Sequence, residues 1–454
     1  MGRDGHSYNS QVIAPRGCSW STLTIIILLC LLTLGVRVGY SAFSPINPVH
    51  DEWDHIAENL AMGRGYVSSW PKTYISPGTL NLPGYDFPLI PTATRGPVPV
   101  VYFALTYRLF GFSDQSLLIG QWILDTLTCA VLFALALQVF GDRRVAVLTS
   151  AAWAFYVPAL WMANSRFAEP MMALLLACLM YILLIAIRTR SMWQFGLTGV
   201  VWGLATLSRP VTATLLLLLF PVLIALLRRQ LRLALQACVI IALGGAFVIS
   251  PWAYRNYKVY NTFVPVSTLG GLVIFRDHYL MDRDDYLLYR DYYTVELAAK
   301  EMFDRRFGSV AVLETAENTV PLIDRTYGEE AFAKIRQYPG RYLILSLVRL
   351  LRLWFNVGYG VPPSWRSYLI LIGHLILLGL VSKALVSYRG TWTLKMAPIF
   401  AMLIHHTLSY MAIASTIRYS VPVAPYLIMV GSYALVRILE QNREVFVGQG
   451  LARL

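Results

Sequence analysis

The sequence has little charge: only 14% of its 454 residues are Asp, Glu, Lys or Arg, whereas 57% are hydrophobic. Soluble globular proteins carry about 25% charged residues. This shortage excludes a chain of two or three soluble domains, which the length alone would allow. The apolar residues stand in continuous runs and do not alternate with polar ones, so membrane helices are favoured over a membrane β-barrel.

Acidic residues and cysteines are also few. There are 25 Asp and Glu against 38 Lys and Arg, a formal net charge of +13. Nucleic-acid binding is nevertheless not favoured, because the arginines fall mainly between apolar runs, where they orient helices or meet anionic lipid. The five cysteines lie in or beside apolar runs without paired spacing, which excludes a disulfide framework and a zinc pattern.

Apolar runs near the length of a membrane helix, about 20 residues, recur along the chain. The first 20 residues are polar and a long run follows, so we expect an uncleaved anchor and not a signal peptide. The pattern predicts an all-α polytopic membrane protein with about 10–12 transmembrane helices. The predicted spans are 21–42, 117–140, 145–162, 171–187, 195–207, 211–227, 233–252, 368–386, 396–414 and 421–438.

Basic residues in short loops predict the orientation, because such loops stay in the cytoplasm. If the spans alternate, "GDRR", "RTRS", "RRQLR", "SYRGTWTLK" and "QNREV" all fall on one side, which we expect to be cytoplasmic. The opposite face then holds 43–116, 163–170, 208–210, 253–366 and 415–420. Pro97–Phe112 and Arg341–Val357 would reverse this pattern as spans, so we interpret both as interfacial helices.

This topology divides the chain into three predicted parts. Residues 1–252 form an N-terminal transmembrane module whose first outer loop is 43–116. Residues 253–366 form an outer subdomain with an interfacial helix, and 367–454 supply the C-terminal helices and a cytoplasmic tail.

The densest acidic cluster follows the first span and contains Asp51, Glu52, Asp54 and Glu58. In a helix that begins at 51, Asp51 and Asp54 share a face with His55. A carboxylate at this membrane boundary, near arginines, is suited to act as a general base. Because acids also stabilise helix N-termini, a capping role alone would explain Asp51 and Glu52.

Five arginines lie at the outer ends of spans or interfacial helices, against the usual charge bias of membrane proteins. Guanidinium groups bind phosphate through paired hydrogen bonds, so a lipid phosphate is one explanation for the set. The alternative is that each arginine snorkels or pairs with a nearby acid. The five are Arg95, Arg166, Arg209, Arg255 and Arg418.

Two further acids have two open interpretations each. Glu169 precedes Pro170 at the outer end of a span, where it either caps the helix or faces a cavity. Asp125 lies about two turns inside a span, where an acid is a functional candidate by default. A hydrogen-bonded contact between helices explains Asp125 equally well.

Six blocks in order resemble the GT-C fold membrane glycosyltransferases, in the branch of bacterial protein O-mannosyltransferases and the lipid A aminoarabinose transferase. The resemblance runs over most of the chain, from the first of these blocks to the last, although none of them is specific for a substrate. The blocks are "HDEWDHIAENLAMGRGY", "RGPVPVVYFALTYRLFG", "SRFAEPMMALLL", "GLATLSRP", "PWAYRNYKVYNTFVPVSTLGG" and "IRYSVPVAPYLIM".

The resemblance implies roles for individual residues. Asp51 matches the family's proposed base, with Asp54 as the fallback and Glu169 as a further catalytic candidate. Arg95 and Arg209 match the basic residues expected near the lipid phosphate. Arg255, Arg418 and the adjacent Tyr419 match later family blocks and are assigned to the same phosphate.

The resemblance also bears on cofactors. In some relatives an acid precedes the residue that matches Arg95, whereas this chain has Thr94 there, which weakens the case for a metal site. No cofactor is required by the pattern, and a divalent cation is compatible with it but not indicated.

The resulting hypothesis is an inverting glycosyltransferase of the cytoplasmic membrane whose active site faces the periplasm or exterior. A sugar passes from a polyprenyl phosphate to a lipid, glycan or protein acceptor, and a single dominant base argues for inversion. Two other classes remain open: a lipid-linked sugar transporter or flippase, and a non-catalytic envelope-assembly protein. Release of polyprenyl phosphate would distinguish an enzyme from both.

Overall fold

The computed structural model describes residues 20–44, 52–80, 87–287, 292–355 and 365–451. Regular structure in these ranges is almost entirely helical. The exception is one antiparallel pair of two-residue strands, β1 Val67–Ser68 and β2 Ile90–Pro91. Three short 3-10 helices, Pro210–Leu215, Arg228–Gln230 and Ile417–Ser420, lie between α-helices.

The α-helices of the described ranges are numbered in chain order. They are α1 Trp20–Phe43, α2 Glu52–Ala61, α3 Pro77–Leu80, α4 Pro97–Phe110, α5 Asp114–Phe140, α6 Arg143–Ala154, α7 Val157–Ala163, α8 Glu169–Thr189, α9 Met192–Ser208, α10 Leu216–Leu226, α11 Leu231–Tyr260, α12 Gly270–His278, α13 Tyr292–Phe307, α14 Val310–Thr315, α15 Val320–Gln337, α16 Pro339–Phe355, α17 Trp365–Ser387, α18 Thr391–Lys395, α19 Ala397–Ala412 and α20 Ala424–Leu451.

Five helical segments in the described ranges are long and apolar enough to cross a membrane, and α6 with α7 would make a sixth. This number is smaller than the 10–12 predicted from the sequence. Each remaining predicted run is helical, but α9 and α19 have only 17 and 16 residues. The five segments are Ser21–Phe43, Asp114–Phe140, Glu169–Thr189, Arg228–Tyr260 and Ser367–Ser387.

Two predicted spans are not single α-helices. The run 145–162 is divided into α6 and α7, whose axes are bent by 55°. The break precedes Pro158, whose ring is tolerated only in the first turn of a helix. The run 211–227 begins as a 3-10 helix directly after Arg209, again with a proline, Pro210, at its start.

Close helix packing in the membrane module depends on small residues. A Cβ at Gly199 of α9 would lie 2.2 Å from the carbonyl oxygen of Ile241 on α11, and one at Gly245 would lie 2.2 Å from the Trp202 ring. Small residues let membrane helices approach at backbone distance. Helices α9 and α11 are therefore closely packed next to the loop that carries Arg209.

Helix α4 corresponds to the first predicted interfacial stretch. It has 14 residues, too few to cross a bilayer that requires about 20. Its buried face, with Val100 and Phe103, packs against Trp53 and Ile56 of α2. This packing holds α2, with Glu52, Asp54 and Glu58 of the acidic cluster, against α4.

Helix α16 corresponds to the second predicted interfacial stretch. Leu343, Leu347 and Leu351 are exposed along one face, a spacing typical of an amphipathic helix that lies on a membrane. The opposite face buries Arg349, which donates to the carbonyl oxygens of Asp277 at 2.8 Å and Ala412 at 3.2 Å. Arg349 therefore ties α16 to both α12 and α19.

A second hydrophobic core lies outside the membrane module. It is built from α12–α15 and the start of α16, with Phe275, Phe303 and Tyr327 at its centre. We call this unit the outer subdomain. The first outer loop contributes Ile75 and Leu80 to the same core, so the subdomain and the loop fold together although about 200 residues separate them in the chain.

Candidate functional site

The candidate residues lie on loops that meet at one end of the helices. Residues 92–96 precede α4, 164–168 precede α8, 209 follows α9 and 417–420 precede α20. Gly96 lies against α9: a Cβ there would be 2.0 Å from the carbonyl oxygen of Leu207, so only glycine fits without a shift of the backbone. This contact brings the segments of Arg95 and Arg209 together. We call this set of loops, with α2, the rim.

Glu52 is the most densely bonded carboxylate of the rim. It is buried, and its Oε2 accepts hydrogen bonds from the Tyr74 and Thr94 hydroxyls, the latter at 2.8 Å. The Arg95 Nε atom lies 3.6 Å from the same oxygen. Arg95 also stands over the Trp53 ring, 5.5 Å from its centroid. Glu52 therefore restrains Arg95, whose side chain remains partly exposed.

Glu169 forms a second carboxylate–guanidinium cluster. Its buried Oε1 lies 2.5 Å from an Arg209 terminal nitrogen and 3.6 Å from the Arg418 Nε. Its Oε2 is buried and has no hydrogen-bond partner in the described part of the chain. Glu169 is the first residue of α8, so it is close to the positive end of that helix dipole.

Tyr419 joins the two arginines of this cluster. Its hydroxyl accepts from Arg418 at 3.0 Å, and both guanidinium groups contact its ring, at 5.5 Å for Arg209 and 4.9 Å for Arg418. Burial would raise the pKa of Tyr419, but Arg418 and Arg209 together bring it below its ordinary value. The cluster is therefore strongly electropositive at Tyr419 even though Glu169 lies within it.

Asp54 and Asp114 share a third arginine. Arg166 Nε lies 3.4 Å from Asp54, and a terminal nitrogen of Arg166 donates to Asp114 at 2.7 Å. Gln121 holds the loop of Arg166 by donating to the carbonyl oxygens of Ser165 and Phe167 at 2.9 and 2.7 Å. Arg166 is thus fixed between two acids on α2 and α5.

Arg255 of α11 differs from the four arginines of the rim because its hydrogen bonds go mainly to backbone, with one to the Asn256 side chain at 3.1 Å. It donates to the carbonyl oxygens of Thr92 at 2.7 Å and Tyr66 at 3.1 Å. Its guanidinium group contacts the rings of Tyr66 and Trp252 at 5.5 and 5.0 Å. These bonds hold the two segments that carry β1 and β2 against α11.

A cleft of about 340 Å³ opens beside Asp54. Its walls combine carboxylates with aromatic rings, so it can hold a polar, partly apolar molecule next to the acidic cluster. The lining residues are Asp54, His55, Glu58, Trp70, Tyr107, Phe112, Ser113 and Asp114.

Not every predicted residue is part of this picture. Asp51 lies outside the described residues, as does His50. Asp125 is described and lies away from the rim: it pairs with Arg37 of α1 in the membrane module. Arg37 also donates to the carbonyl oxygen of Trp153 at 3.2 Å. The helix-contact interpretation of Asp125 therefore agrees with its position.

The structure adds Tyr74 and Asp114 to the residues singled out from the sequence, and it gives Glu52 and Thr94 contacts that the sequence did not predict. For Glu52 a signal existed, because it is four residues before Ile56 and so shares the apolar, buried face of α2. Burial, then Glu52, keep the pKa of Tyr74 well above its ordinary value, so its hydroxyl remains a donor. The contacts of Asp114 and Thr94 join distant segments and leave no local pattern.

The described residues contain no group of three or more His, Cys, Asp or Glu placed to hold a metal ion. The Thr94 hydroxyl, next to Arg95, donates to Glu52 and accepts from the Thr92 hydroxyl, both at 2.8 Å. This segment is therefore occupied with internal hydrogen bonds.

Comparison with known proteins supports the resemblance predicted from the sequence. The sequence profile of the dolichyl-phosphate-mannose-protein mannosyltransferase family matches residues 94–254, which is less than half of the chain. The matched region contains Arg95, Arg166 and Arg209 of the rim. No curated protein matches the chain by sequence.

Solved structures match over nearly the whole chain. One is the oligosaccharyltransferase AglB from Archaeoglobus fulgidus in complex with an inhibitory peptide and a dolichol-phosphate: 13% identity, 95% of this chain, 52% of that chain and a TM-score of 0.54. The apo form of the Archaeoglobus fulgidus enzyme matches with 14% identity, the same coverage and a TM-score of 0.54. ArnT from Cupriavidus metallidurans bound to undecaprenyl phosphate matches with 14% identity, 93% of this chain, 78% of that chain and a TM-score of 0.36.

The chain spans about half the length of the archaeal oligosaccharyltransferases it matches. At such low identity, the likeness concerns the fold and not the reaction. The helical architecture, the order of the six sequence blocks and the match to AglB agree, and the chain is a polytopic membrane protein with the GT-C fold.

Proposed function

We propose that the chain is a glycosyltransferase that moves a sugar from a polyprenyl-phosphate donor to an acceptor at the outer face of the cytoplasmic membrane. The observation that carries this proposal is the rim, where three arginines that reach a solvent-accessible surface lie on adjoining loops. The exposed fractions of the side chains are 16% for Arg95, 17% for Arg209 and 25% for Arg418, against 2% for Arg166.

The donor phosphate is proposed to bind Arg209, Arg418 and Tyr419 on one side and Arg95 on the other. Glu169 and Glu52 orient these arginines, and each arginine keeps part of its side chain exposed. Preorganised cations of this kind stabilise charge that grows on a leaving group. Arg255 is then a positioning residue, because it already donates to the backbone carbonyl oxygens of Thr92 and Tyr66 and to the Asn256 side chain.

The reaction is proposed to be a single displacement with inversion. An acceptor hydroxyl or amine attacks the anomeric carbon, the bond from that carbon to the phosphate oxygen breaks, and polyprenyl phosphate leaves with the bonding electrons. Asp51 accepts the acceptor's proton, with Asp54 as the fallback. Asp54 is paired with Arg166, whereas Glu169 is committed to two arginines, so both are less suited to this role.

The acceptor is proposed to enter beside the acidic cluster, where the 340 Å³ cleft lies next to Asp54. A lipid, a glycan and a protein side chain all satisfy this chemistry. No cofactor takes part in the proposed steps, and turnover after EDTA treatment checks that point.

The test is donor consumption by the purified full chain in detergent, with a panel of polyprenyl-phosphate sugars. We expect release of polyprenyl phosphate by the wild type. Arg418→Lys should lower kcat/KM at least about tenfold, because lysine offers neither the planar fork nor the stacking of arginine. Arg325→Lys, an exposed arginine of α15, is the matched control and should leave kcat/KM unchanged.

The same chain is also reconstituted into liposomes, where a donor that crosses the bilayer intact would instead indicate a transporter. Absence of both release and transport across the whole panel would favour the non-catalytic assembly protein.

A further inference from the structure

Tyr74 has an unusual backbone conformation beside the rim. Its φ is +60°, in the left-handed region that bulky side chains rarely adopt. Such strain persists where the surrounding structure over-determines it, and it is concentrated at functional sites. The Tyr74 hydroxyl is one of the two hydroxyls that donate to Glu52, with that of Thr94. The strained residue therefore contacts the partner of Arg95 directly.

The outer subdomain holds the residues just before Tyr74. Glu314 of α14 is buried, and its carboxylate accepts from the Lys72 amide at 2.9 Å and from the Thr73 amide at 2.8 Å. It also accepts from the Thr73 hydroxyl at 2.5 Å. Tyr327 of α15 donates to the Thr73 carbonyl oxygen at 2.6 Å. Thr73 therefore has its amide, hydroxyl and carbonyl all bonded to the outer subdomain.

A further carboxylate fixes the chain after Tyr74. Glu296 of α13 accepts from the Ser76 and Thr79 hydroxyls at 2.7 and 2.9 Å. The strained residue is thus held from both sides by helices more than 200 positions away in the sequence. Thr73, Glu314 and Tyr327 are almost fully buried. Water therefore cannot replace the hydrogen bonds that fix Thr73, the residue before Tyr74.

We propose that Glu314 and Tyr327 are positioning residues for the transfer reaction: they hold Thr73 so that Tyr74 keeps its hydroxyl on Glu52. This inference depends on the proposed function. Glu52 Oε2 takes hydrogen bonds from Tyr74 and Thr94 and is 3.6 Å from Arg95. When the Tyr74 hydroxyl is removed, that oxygen gains an open site, and the adjacent guanidinium is the cation that fills it. Arg95 is then drawn toward Glu52 and away from the donor phosphate.

The experiment compares three variants of the full chain: Tyr74→Phe, Tyr327→Phe and Glu314→Gln. We expect kcat/KM for the donor to fall about tenfold in Tyr74→Phe, the effect of about 1.4 kcal/mol or roughly one hydrogen bond. In Tyr327→Phe and Glu314→Gln, kcat/KM for the donor should fall by a similar factor, and KM for the acceptor should stay unchanged. The controls are Tyr293→Phe and Glu301→Gln, exposed residues on α13.

A double variant separates positioning from simple stabilisation. If Tyr327 acts through Tyr74, adding Tyr327→Phe to Tyr74→Phe should reduce kcat/KM by less than about twofold more, because coupled residues are not additive. Lower thermal stability in Tyr327→Phe with unchanged kcat/KM per folded molecule would overturn the inference. Fully multiplicative losses would overturn it as well.

The outcomes also separate this inference from the proposed function. A wild type that consumes none of the donors overturns the proposed function, and the positioning role with it. An active wild type whose three variants match the controls overturns only the positioning role. Tyr74→Phe leaves every bond of Thr73 in place, so it remains informative even where Glu314→Gln fails to fold.

Discussion

The four arginines of the rim and Arg255 of α11 differ in how much of their hydrogen-bonding capacity is already used. Arg255 gives two donors to backbone carbonyls, and Arg166 lies between two carboxylates. Arg418 keeps a quarter of its side chain exposed and is stacked on Phe167 at 4.4 Å. The sequence shows five equivalent cations, and their contacts divide them into arginines committed to internal partners and arginines that keep exposed surface.

At Asp51 we predict loss of turnover with retained folding. Asp51→Asn removes the proposed base, and a positioned general base contributes about 10²–10⁴ in rate. The matched control is Asp285→Asn, a half-exposed aspartate of the outer subdomain, which should keep full activity. Donor release is measured for both, with thermal unfolding to show equal stability. Full activity in Asp51→Asn would transfer the role to Asp54.

The residues predicted from the sequence were those with a motif around them. Arg95, Arg209 and Arg418 each stand in a block with a proline or a glycine nearby, and they do meet at the rim. Glu52 escaped because acids at a helix N-terminus have an adequate local explanation. Tyr74 and Asp114 escaped because their partners come from other helices, and no local pattern encodes such a contact.

Helices α1 and α5 are joined by the buried pair of Arg37 and Asp125. Removing one member leaves an unpaired charge in a dry interior, which typically costs 3–5 kcal/mol, whereas replacing both with apolar residues is often neutral. We therefore predict strong destabilisation in Asp125→Leu and recovery in Arg37→Met with Asp125→Leu. Unfolding temperature in detergent measures this. Loss of donor release in a stable double variant would show a functional role for Asp125.

Helices α12 and α15 meet at another acid, the partly buried Asp324, which accepts a hydrogen bond from the Gly271 amide at 2.6 Å. Burial raises the pKa of Asp324 to about 6. Hydrogen bonds from the backbone amides of Gly271 and Leu272 lower this pKa, but by less than burial raises it. A raised native pKa stabilises the fold below the unfolded value of 3.8, and this contribution is lost as pH rises through about 6.

We therefore predict that Asp324→Asn raises the unfolding temperature at pH 7.5, by up to ~3 kcal/mol of stability, and leaves it unchanged near pH 3.5. The amide oxygen still accepts from Gly271, so the packing is kept. Unfolding temperature against pH is the measurement. Parallel pH profiles for wild type and variant would contradict the prediction.

At the scale of elements, the apolar runs predicted where helices occur better than how they cross the membrane. Every predicted span corresponds to helix, because the runs are long and continuous. The bend between α6 and α7 and the 3-10 start before α10 depend on single prolines, Pro158 and Pro210. One proline hardly changes the hydropathy of a run of about twenty apolar residues. Inside a helix, however, it removes a backbone hydrogen bond and clashes with the preceding turn.

The whole molecule combines a membrane module with a subdomain that folds around part of the first loop. This arrangement makes the rim a joint product of both units: the arginines come from the module, and the contacts that fix Tyr74 come from the subdomain. The sequence predicted both units but not their connection, because Thr73 and Glu314 are joined only in three dimensions.

The orientation predicted from the charges of the loops determines which positions should react with a membrane-impermeant thiol reagent. The five native cysteines are first replaced by alanine, and single cysteines are then placed at exposed positions. Thr416→Cys beside the rim and Glu301→Cys in the outer subdomain should be labelled in intact cells. Gln230→Cys lies in the basic "RRQLR" loop and should react only after permeabilisation, because positively charged loops stay in the cytoplasm. Labelling of Gln230→Cys but not Thr416→Cys in intact cells would place the rim in the cytoplasm and contradict the outer-face reaction proposed above.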